Sequence, residues 1–306
     1  MASEAGVQEL RTLTLGFNEF AGSENDEVPL AETVAAQLGA TQQTCWFSRQ
    51  DFTDQYQNLI DAMDQPSIDG INSYFVTKAA HDAGLKVALS GLGGDELFAG
   101  YSHFEGIPRM VRRLRPLTAI PGLGRGFRLV TAPLIGKVVS PKAAGLLEYG
   151  GDHSGAYLLR RGLCMPWELH QVLDRYLARK GCLELQTLTA LRGTIEGVVG
   201  SRETNNLLDL TRCMRNQLLR VTDWASMAHS LEVRGPLVDL PLVKTVARLC
   251  HARLPADQQA MANTPRNKLP TNVLNRRKTG FSVPVRDWLA QRSDQPTTGQ
   301  ARGLRA

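Results

Sequence analysis

A short strand that runs into a glycine-rich turn places the strongest constraint on this chain. Residues 85–91 (LKVALSG) form a compact apolar run that ends in glycine, and LGGDELFAGY follows at 92–101. Gly91, Gly93 and Gly94 can adopt positive φ and leave backbone N–H groups open to a ligand. Ligands of open parallel sheets bind at the carboxyl ends of the strands, where Ser90 and Gly91 fall. The run therefore predicts a nucleotide or phosphate loop at a sheet edge.

Two acids follow the glycines at once, which a bare phosphate would not favour. Asp95 and Glu96 open the predicted helix that continues from the loop. A carboxylate at this place is explained if Mg²⁺ lies between it and phosphate oxygens. The alternative is an ordinary glycine turn in which Asp95 caps the helix. The residues alone leave both interpretations open, and they match neither a Walker A loop nor a Rossmann fingerprint.

The first third of the chain predicts a parallel α/β unit. Residues 10–17 (LRTLTLGF) are typical of a buried strand. Apolar residues recur at helical spacing over 29–38 and again over 72–83. Strand, helix and strand joined by short connections favour a parallel sheet.

The remainder predicts a mainly helical region. Residues 109–140 are basic and carry three prolines, which indicates a loop or a mobile helical connection, whereas 155–260 has mostly helical spacing. The tail from Gln291 is polar and is predicted to be disordered. We therefore expect a partial nucleotide-binding core at 1–105, a helical part at 106–290 and a tail at 291–306.

Composition limits the classes of partner and compartment. The net charge of +5 is modest and not gathered into an aromatic-rich basic tract, so no nucleic-acid partner is expected. No apolar run is long enough to span a membrane, and no membrane partner is expected. Five cysteines without a CxxC pair favour reduced thiols over a disulfide framework or zinc site. The expected localisation is cytoplasmic.

Three motifs in order resemble the asparagine synthetase family. SGLGGDELFAGY (90–101) is similar to the family's SGxGGDELFxGY. LLRVTDWASMAHSLEVRGPLVD (218–239) resembles DRxSMAxSLEVRxPFLD, and RRKTGFSVPVRDWL (276–289) resembles KxGFxxPxxxWL. The resemblance covers about residues 10–290 and is loose only between about 105 and 200.

The resemblance implies an ATP-pyrophosphatase fold, in which a parallel α/β sheet is followed by helices. It implies a ligase that activates the side-chain carboxylate of aspartate with Mg·ATP and then aminates it, releasing AMP and pyrophosphate. The ammonia would come from glutamine in a domain or subunit outside this chain, and the protein could form a homodimer. The resemblance places Ser90 and Gly91 on the nucleotide and Asp95 on Mg²⁺, with Leu15 and Gly16 beside the adenine.

Further candidates come from the second and third motifs. Glu232 and Arg234 alternate with apolar residues, so both charges share one face of a strand. They form either a structural ion pair or a wall for aspartate, and Asp223 could pair with Arg234. Lys278 is the candidate cation for the phosphates, because a pentavalent phosphorus centre gathers negative charge; otherwise it is a solvated surface lysine.

The sequence also departs from the family. The SGGxDS phosphate loop and the strand before it are not found, nor is a glutaminase domain. Leu92 stands where several members carry an acid. These departures predict a truncated product or one half of a split enzyme. Three alternatives therefore remain: an asparagine synthetase-type ligase, an impaired fragment or non-catalytic subunit, and a related amidotransferase or β-lactam synthetase-like ligase acting on another carboxylate.

Overall fold

The computed structural model describes residues 2–65, 67, 69–135, 140–254, 256–276 and 283–290. Within these residues the chain is α/β, with small parallel sheets and a larger number of helices. The strands are β1 (Arg11–Phe17), β2 (Thr41–Phe47), β3 (Val87–Leu89) and β4 (Glu232–Arg234).

Sixteen α-helices accompany these strands in the described part of the chain. In order they are α1 (Val28–Leu38), α2 (Arg49–Ala62), α3 (Ile71–Asp82), α4 (Gly94–Leu97), α5 (His103–Thr118), α6 (Leu123–Ile135), α7 (Leu146–Tyr149), α8 (His153–Arg161), α9 (Arg175–Leu185), α10 (Thr187–Thr194), α11 (Ser201–Leu208), α12 (Leu219–Met227), α13 (Leu240–His251), α14 (Gln258–Ala262), α15 (Thr271–Leu274) and α16 (Val285–Ala290). A π-helix, Asp209–Leu218, links α11 to α12.

The strands form two separate parallel pairs. β1 pairs with β2, with Gly16 opposite Trp46, and β3 pairs with β4, with Val87 opposite Glu232. No ladder joins the two pairs among the described residues. The expected parallel α/β arrangement is confirmed, but the strand expected at 10–17 pairs with β2 and not with the strand expected at 85–91.

The chain divides into two compact units. The first combines residues up to Gly94 with those from Met214 onward, and the second runs from Asp95 to Cys213. The division at residue 105 predicted from the sequence stays a prediction. The core of the first unit packs β1, α2, α3 and α12 through buried side chains that include Leu15, Phe52, Phe75 and Trp224.

The core of the second unit is smaller. It gathers Ile107 of α5, Tyr157 of α8, Leu191 of α10 and Leu208 of α11. Of the two alternatives expected over 109–140, a loop or a mobile helical connection, the loop is wrong for 109–135, most of which is helical. Apolar side chains at helical spacing outweigh the prolines there, although Pro108 and Pro116 in α5 and Pro133 in α6 each remove one helical N–H donor.

Two further expectations can be compared with the structure. All five cysteines are free thiols. Among the described residues, no helix combines the length and apolar composition that crossing a bilayer requires.

Candidate functional site

The glycine loop begins where β3 ends, as the sequence predicts. The backbone N–H of Ser90 donates to the carbonyl of Arg234 at 2.8 Å, which ties the start of the loop to β4. The Ser90 hydroxyl accepts from the N–H of Leu92 at 3.2 Å. The first and second sequence motifs therefore meet at the carboxyl end of the β3–β4 pair.

The three glycines of the loop have different surroundings. Gly93 has φ of +93°, and a Cβ there would lie 2.5 Å from Cγ1 of Val238. A Cβ on Gly94 would lie 3.1 Å from Cδ1 of Leu237. Gly91 is exposed and would meet no atom within 4 Å. The positive φ and the close approach of Val238 thus favour glycine at position 93, and Gly94 makes a tight contact with a terminal methyl group of Leu237. Gly91 leaves open space for a ligand to approach the backbone.

The two acids after the loop have separate environments. Asp95 is half-buried in the short helix α4, and its carbonyl accepts from the N–H of Gly100 at 2.9 Å. Glu96 is only 1% exposed and accepts from the Tyr101 hydroxyl at 2.7 Å. Burial raises the pKa of the Glu96 carboxyl. Of the pair, Asp95 is the carboxylate with access to a metal ion.

A magnesium ion held by protein groups alone does not fit the described residues. They contain no group of three or more His, Cys, Asp or Glu side chains that could hold a metal ion. Mg²⁺ is commonly bound through one or two carboxylates together with substrate phosphates. Asp95 fits an ion of that kind, which would arrive with the nucleotide.

The polar pair on β4 is an exposed ion pair. Arg234 Nε donates to Glu232 Oε1 at 2.9 Å, and the two side chains are 62% and 56% exposed. The structure therefore pairs Arg234 with Glu232 and not with Asp223. Asp223 lies inside α12 on its exposed side.

Leu15 and Gly16 lie near the end of β1, in the other strand pair. Both are buried, and a Cβ on Gly16 would lie 2.7 Å from Cε3 of Trp46. The glycine is therefore required by the close approach of the neighbouring indole. No backbone ladder brings these two residues beside Ser90.

The third motif is only partly described. Lys278 lies outside the described residues. At the end of the motif, Trp288 is 3% exposed and donates from Nε1 to Glu19 Oε1 at 2.6 Å. The tryptophan anchors α16 in the core of the first unit.

A buried polar network in the second unit was not predicted from the sequence. His103 Nε2 lies 2.6 Å from Asp209 Oδ2, and the Tyr157 hydroxyl donates to Asp209 Oδ1 at 3.0 Å. Arg161 contacts the same carboxylate at 3.5 Å, and its NH2 group donates to the sulfur of Cys213. Burial raises the pKa of the Cys213 thiol to about 11, so the group is a thiol at neutral pH.

The sequence carries no local pattern for this network, which only the fold brings together. Asp209 lies in a π-helix, an element that is frequent at functional sites. Arg161 also stands 5.1 Å from the ring of Tyr101, the residue that holds Glu96. The network therefore holds the segment that begins at Asp95.

Comparison with known proteins gives consistent matches. The family model described as asparagine synthase matches residues 1–298. Asparagine synthetase [glutamine-hydrolyzing] 1 of Bacillus subtilis is 28% identical over 286 residues, which cover 92% of this chain and 43% of that protein. A putative asparagine synthetase [glutamine-hydrolyzing] of Mycobacterium bovis is 31% identical over 300 residues, covering 92% of this chain and 42% of its own length. The chain thus spans less than half the length of these relatives.

Proposed function

Because the chain belongs to the asparagine synthase family, we propose that it is the ligase part of an asparagine synthetase. It would adenylate the side-chain carboxylate of aspartate with Mg·ATP and then aminate the product to asparagine. The observation that supports this proposal is the junction of two motifs at the end of β3. There Ser90 bonds to Arg234 and Gly93 packs on Val238.

The loop would bind the nucleotide. Ser90 would contact the phosphates through its hydroxyl group and Gly91 through its backbone N–H, with Gly91 leaving room for close approach. Gly93 and Gly94 would fix the curvature of the loop. Leu15 and Gly16 would border the adenine, in an ATP-pyrophosphatase fold. Mg²⁺, when bound, would neutralise charge on the phosphate oxygens, with Asp95 as its protein ligand.

In the first step, a carboxylate oxygen of aspartate attacks the α-phosphorus, and the bond to pyrophosphate breaks. Lys278 would stabilise the charge that gathers on the phosphorus centre. In the second step, the ammonia nitrogen attacks the acyl carbon and AMP departs. The Glu232–Arg234 pair would form a wall of the aspartate pocket, because both side chains are exposed on β4 and the backbone of Arg234 is bonded to the start of the loop.

The roles of Asp223 and of partners are further parts of the proposal. Asp223 is exposed on α12 and would support the same substrate wall. The ammonia would derive from glutamine hydrolysed by a separate domain or subunit, since the two relatives are named as glutamine-hydrolysing enzymes. Assembly as a homodimer or with a glutaminase would complete the enzyme.

The first test is ATP–pyrophosphate exchange by the purified chain with Mg²⁺ and aspartate. The proposal expects exchange that depends on aspartate. No exchange from a sample shown to be folded by circular dichroism would overturn it for this chain. Exchange that required a different amino acid or carboxylate would replace aspartate as the substrate.

Two variants test the assigned roles. Asp95→Asn should weaken nucleotide binding only when Mg²⁺ is present. Its control is Asp54→Asn, which changes an exposed carboxylate of α2. Lys278→Ala should lower exchange by about 100-fold or more, the usual effect of losing one positioned charge-stabilising group, and Lys180→Ala on α9 is its control. Unchanged exchange in Lys278→Ala would reject the role given to that lysine.

A further inference from the structure

Residues 106–147, around α5 and α6, carry positive charges and no negative ones, and the proposed ligase reaction does not use them. Between Glu105 and Glu148 the sequence holds six arginines and two lysines and no acidic residue. In the described residues of this segment, 106–135 and 140–147, seven of these eight basic residues are placed. Exposed helices commonly pair basic residues with acidic residues three or four positions away, and this segment itself contains no acidic residue.

Four arginines lie on the exposed side of α5. Arg109, Arg112, Arg113 and Arg115 are exposed, whereas the opposite side buries residues such as Ile107. Arg109 has a long contact of 3.4 Å with Glu105, and both side chains are more than half exposed. Within the described part of the chain, the side chains of the other three make no hydrogen bond or ion pair. Their guanidinium groups are therefore open to an external anion.

Helix α6 has an exposed apolar side. Gly124 packs on the backbone of Leu147 and Glu148, which defines the buried side of the helix. On the exposed side, Leu129 is 62% and Val130 is 72% exposed, and Leu123 is also open to solvent. Arg125 stands among these aliphatic side chains and is exposed as well.

The turn between the two helices continues this composition. Ile120 is 52% exposed, and Leu117 in the last turn of α5 is 41% exposed. We use the name α5–α6 surface for the exposed arginines 109, 112, 113, 115 and 125 and the exposed aliphatic residues 117, 120, 123, 129 and 130. It combines basic and apolar groups on two consecutive helices of the second unit.

We propose that the α5–α6 surface docks peripherally on an anionic phospholipid bilayer. Arginine presents a planar fork that matches phosphate in a bidentate manner, and it is weakly hydrated. Interfacial helices pair such charges with aliphatic groups that enter the boundary between headgroups and acyl chains. Leu123, Leu129 and Val130 would supply that apolar contact.

The composition favours a bilayer over nucleic acid. Binding of single strands relies on aromatic side chains that stack on bases, and the one aromatic residue within α6, Phe127, is half-buried. The expectation of no membrane partner rested on the absence of spanning segments, which does not bear on surface docking. The proposed docking is independent of the ligase activity.

The test is co-sedimentation of the full chain with vesicles. We expect binding to phosphatidylcholine vesicles that contain phosphatidylglycerol, little binding to phosphatidylcholine alone, and release by salt. Each arginine near an anionic surface contributes about fivefold to binding. The variant Arg112→Glu/Arg113→Glu/Arg115→Glu should therefore lose about 100-fold or more. Its matched control is Arg175→Glu/Arg179→Glu on the exposed side of α9.

A second pair of variants tests the apolar part. Leu129→Ser/Val130→Ser should weaken vesicle binding about tenfold, whereas Leu183→Ser/Leu185→Ser, exposed residues of α9, should not. Absence of vesicle binding, or equal binding to both lipid compositions, would overturn the proposal. Equal losses of vesicle binding in the α9 controls would also overturn it. So would binding of the chain to single-stranded RNA without binding to vesicles. Full binding by Leu129→Ser/Val130→Ser would reject the insertion of α6.

Discussion

His103 and Asp209 are joined by a contact of 2.6 Å although they lie 106 positions apart in the chain. The two side chains are 5% and 0% exposed, so the pair is withdrawn from water. The Tyr157 hydroxyl and the guanidinium of Arg161 approach the same carboxylate. The carboxylate of Asp209 therefore joins α5, α8 and the π-helix.

We expect Asp209→Ala to reduce the free energy of unfolding by about 3–5 kcal/mol, because it leaves buried partners without their acceptor. Asp209→Asn keeps the shape and some of the hydrogen bonds and should cost less. The control is Glu184→Ala, which breaks an exposed pair with Lys180 and should cost about 0.5 kcal/mol or less. Urea denaturation measures all three. A loss in Asp209→Ala no larger than that of the control would show that the network does not stabilise the fold.

Glu96 makes stability depend on pH. Burial raises the pKa of the Glu96 carboxyl above its ordinary value of 4.5. Since the folded state then holds the proton more strongly than the unfolded state, stability should fall as pH rises from about 4.5 to the folded pKa. Above the folded pKa this contribution should be constant. Tyr101, Asp209 and Asp95 are the groups that act on Glu96.

The variant Glu96→Gln should remove this dependence. It keeps an oxygen that can accept from the Tyr101 hydroxyl. As the pH rises toward the folded pKa of Glu96, the unaltered chain should lose stability and the variant should not. The free energy of unfolding of the variant should therefore increase relative to that of the unaltered chain. Urea denaturation of both proteins over a pH series gives the difference. Parallel curves at every pH would contradict the raised pKa.

Local patterns predicted the first unit well. The strand expected at 10–17 is observed as Arg11–Phe17, and the helices expected at 29–38 and 72–83 begin and end within a residue of those bounds. The alternation in SLEVR predicted that Glu232 and Arg234 share a face, and they are paired on β4. These features depend on residues that are close in sequence, and the spacing of apolar residues is enough to predict them.

Contacts distant in sequence were not predictable in the same way. β2 was missed because TQQTCWF is too polar to indicate a strand, and its pairing with β1 supports it. The His103–Asp209 pair has no local pattern at all. Leu237 and Val238 were seen as part of a motif, but their role beneath Gly93 and Gly94 depends on the fold. The assigned roles of the site residues stay predictions.

The glycine loop offers a matched pair of substitutions. Gly93→Ala should destabilise the protein by about 1–3 kcal/mol, because φ is +93° and the added Cβ meets Val238 at 2.5 Å. Gly91→Ala has open space and no positive φ, so its effect on stability should be within about 0.5 kcal/mol. Thermal and urea unfolding compare the two. Equal losses would mean that packing on Val238 does not restrict the loop.

The same variants separate the shape of the loop from its ligand contact. If the loop binds a nucleotide as proposed, Gly91→Ala should weaken ATP binding while leaving stability unchanged, because its Cβ would occupy the space open to the ligand. Equilibrium dialysis with Mg·ATP measures the affinity. Full affinity in Gly91→Ala would place the nucleotide away from this residue.

The contact between Gly16 and Trp46 can be tested by a double-mutant cycle. Gly16→Ala should destabilise the first unit by about 1–3 kcal/mol, because the added Cβ would lie 2.7 Å from the indole. Trp46 is 50% exposed, so Trp46→Ala removes the obstacle at limited cost in buried surface. In that background Gly16→Ala should be close to neutral, giving a coupling free energy of about 1 kcal/mol or more. Additive losses in the cycle would instead show that the backbone of β1, and not the indole, requires glycine at position 16.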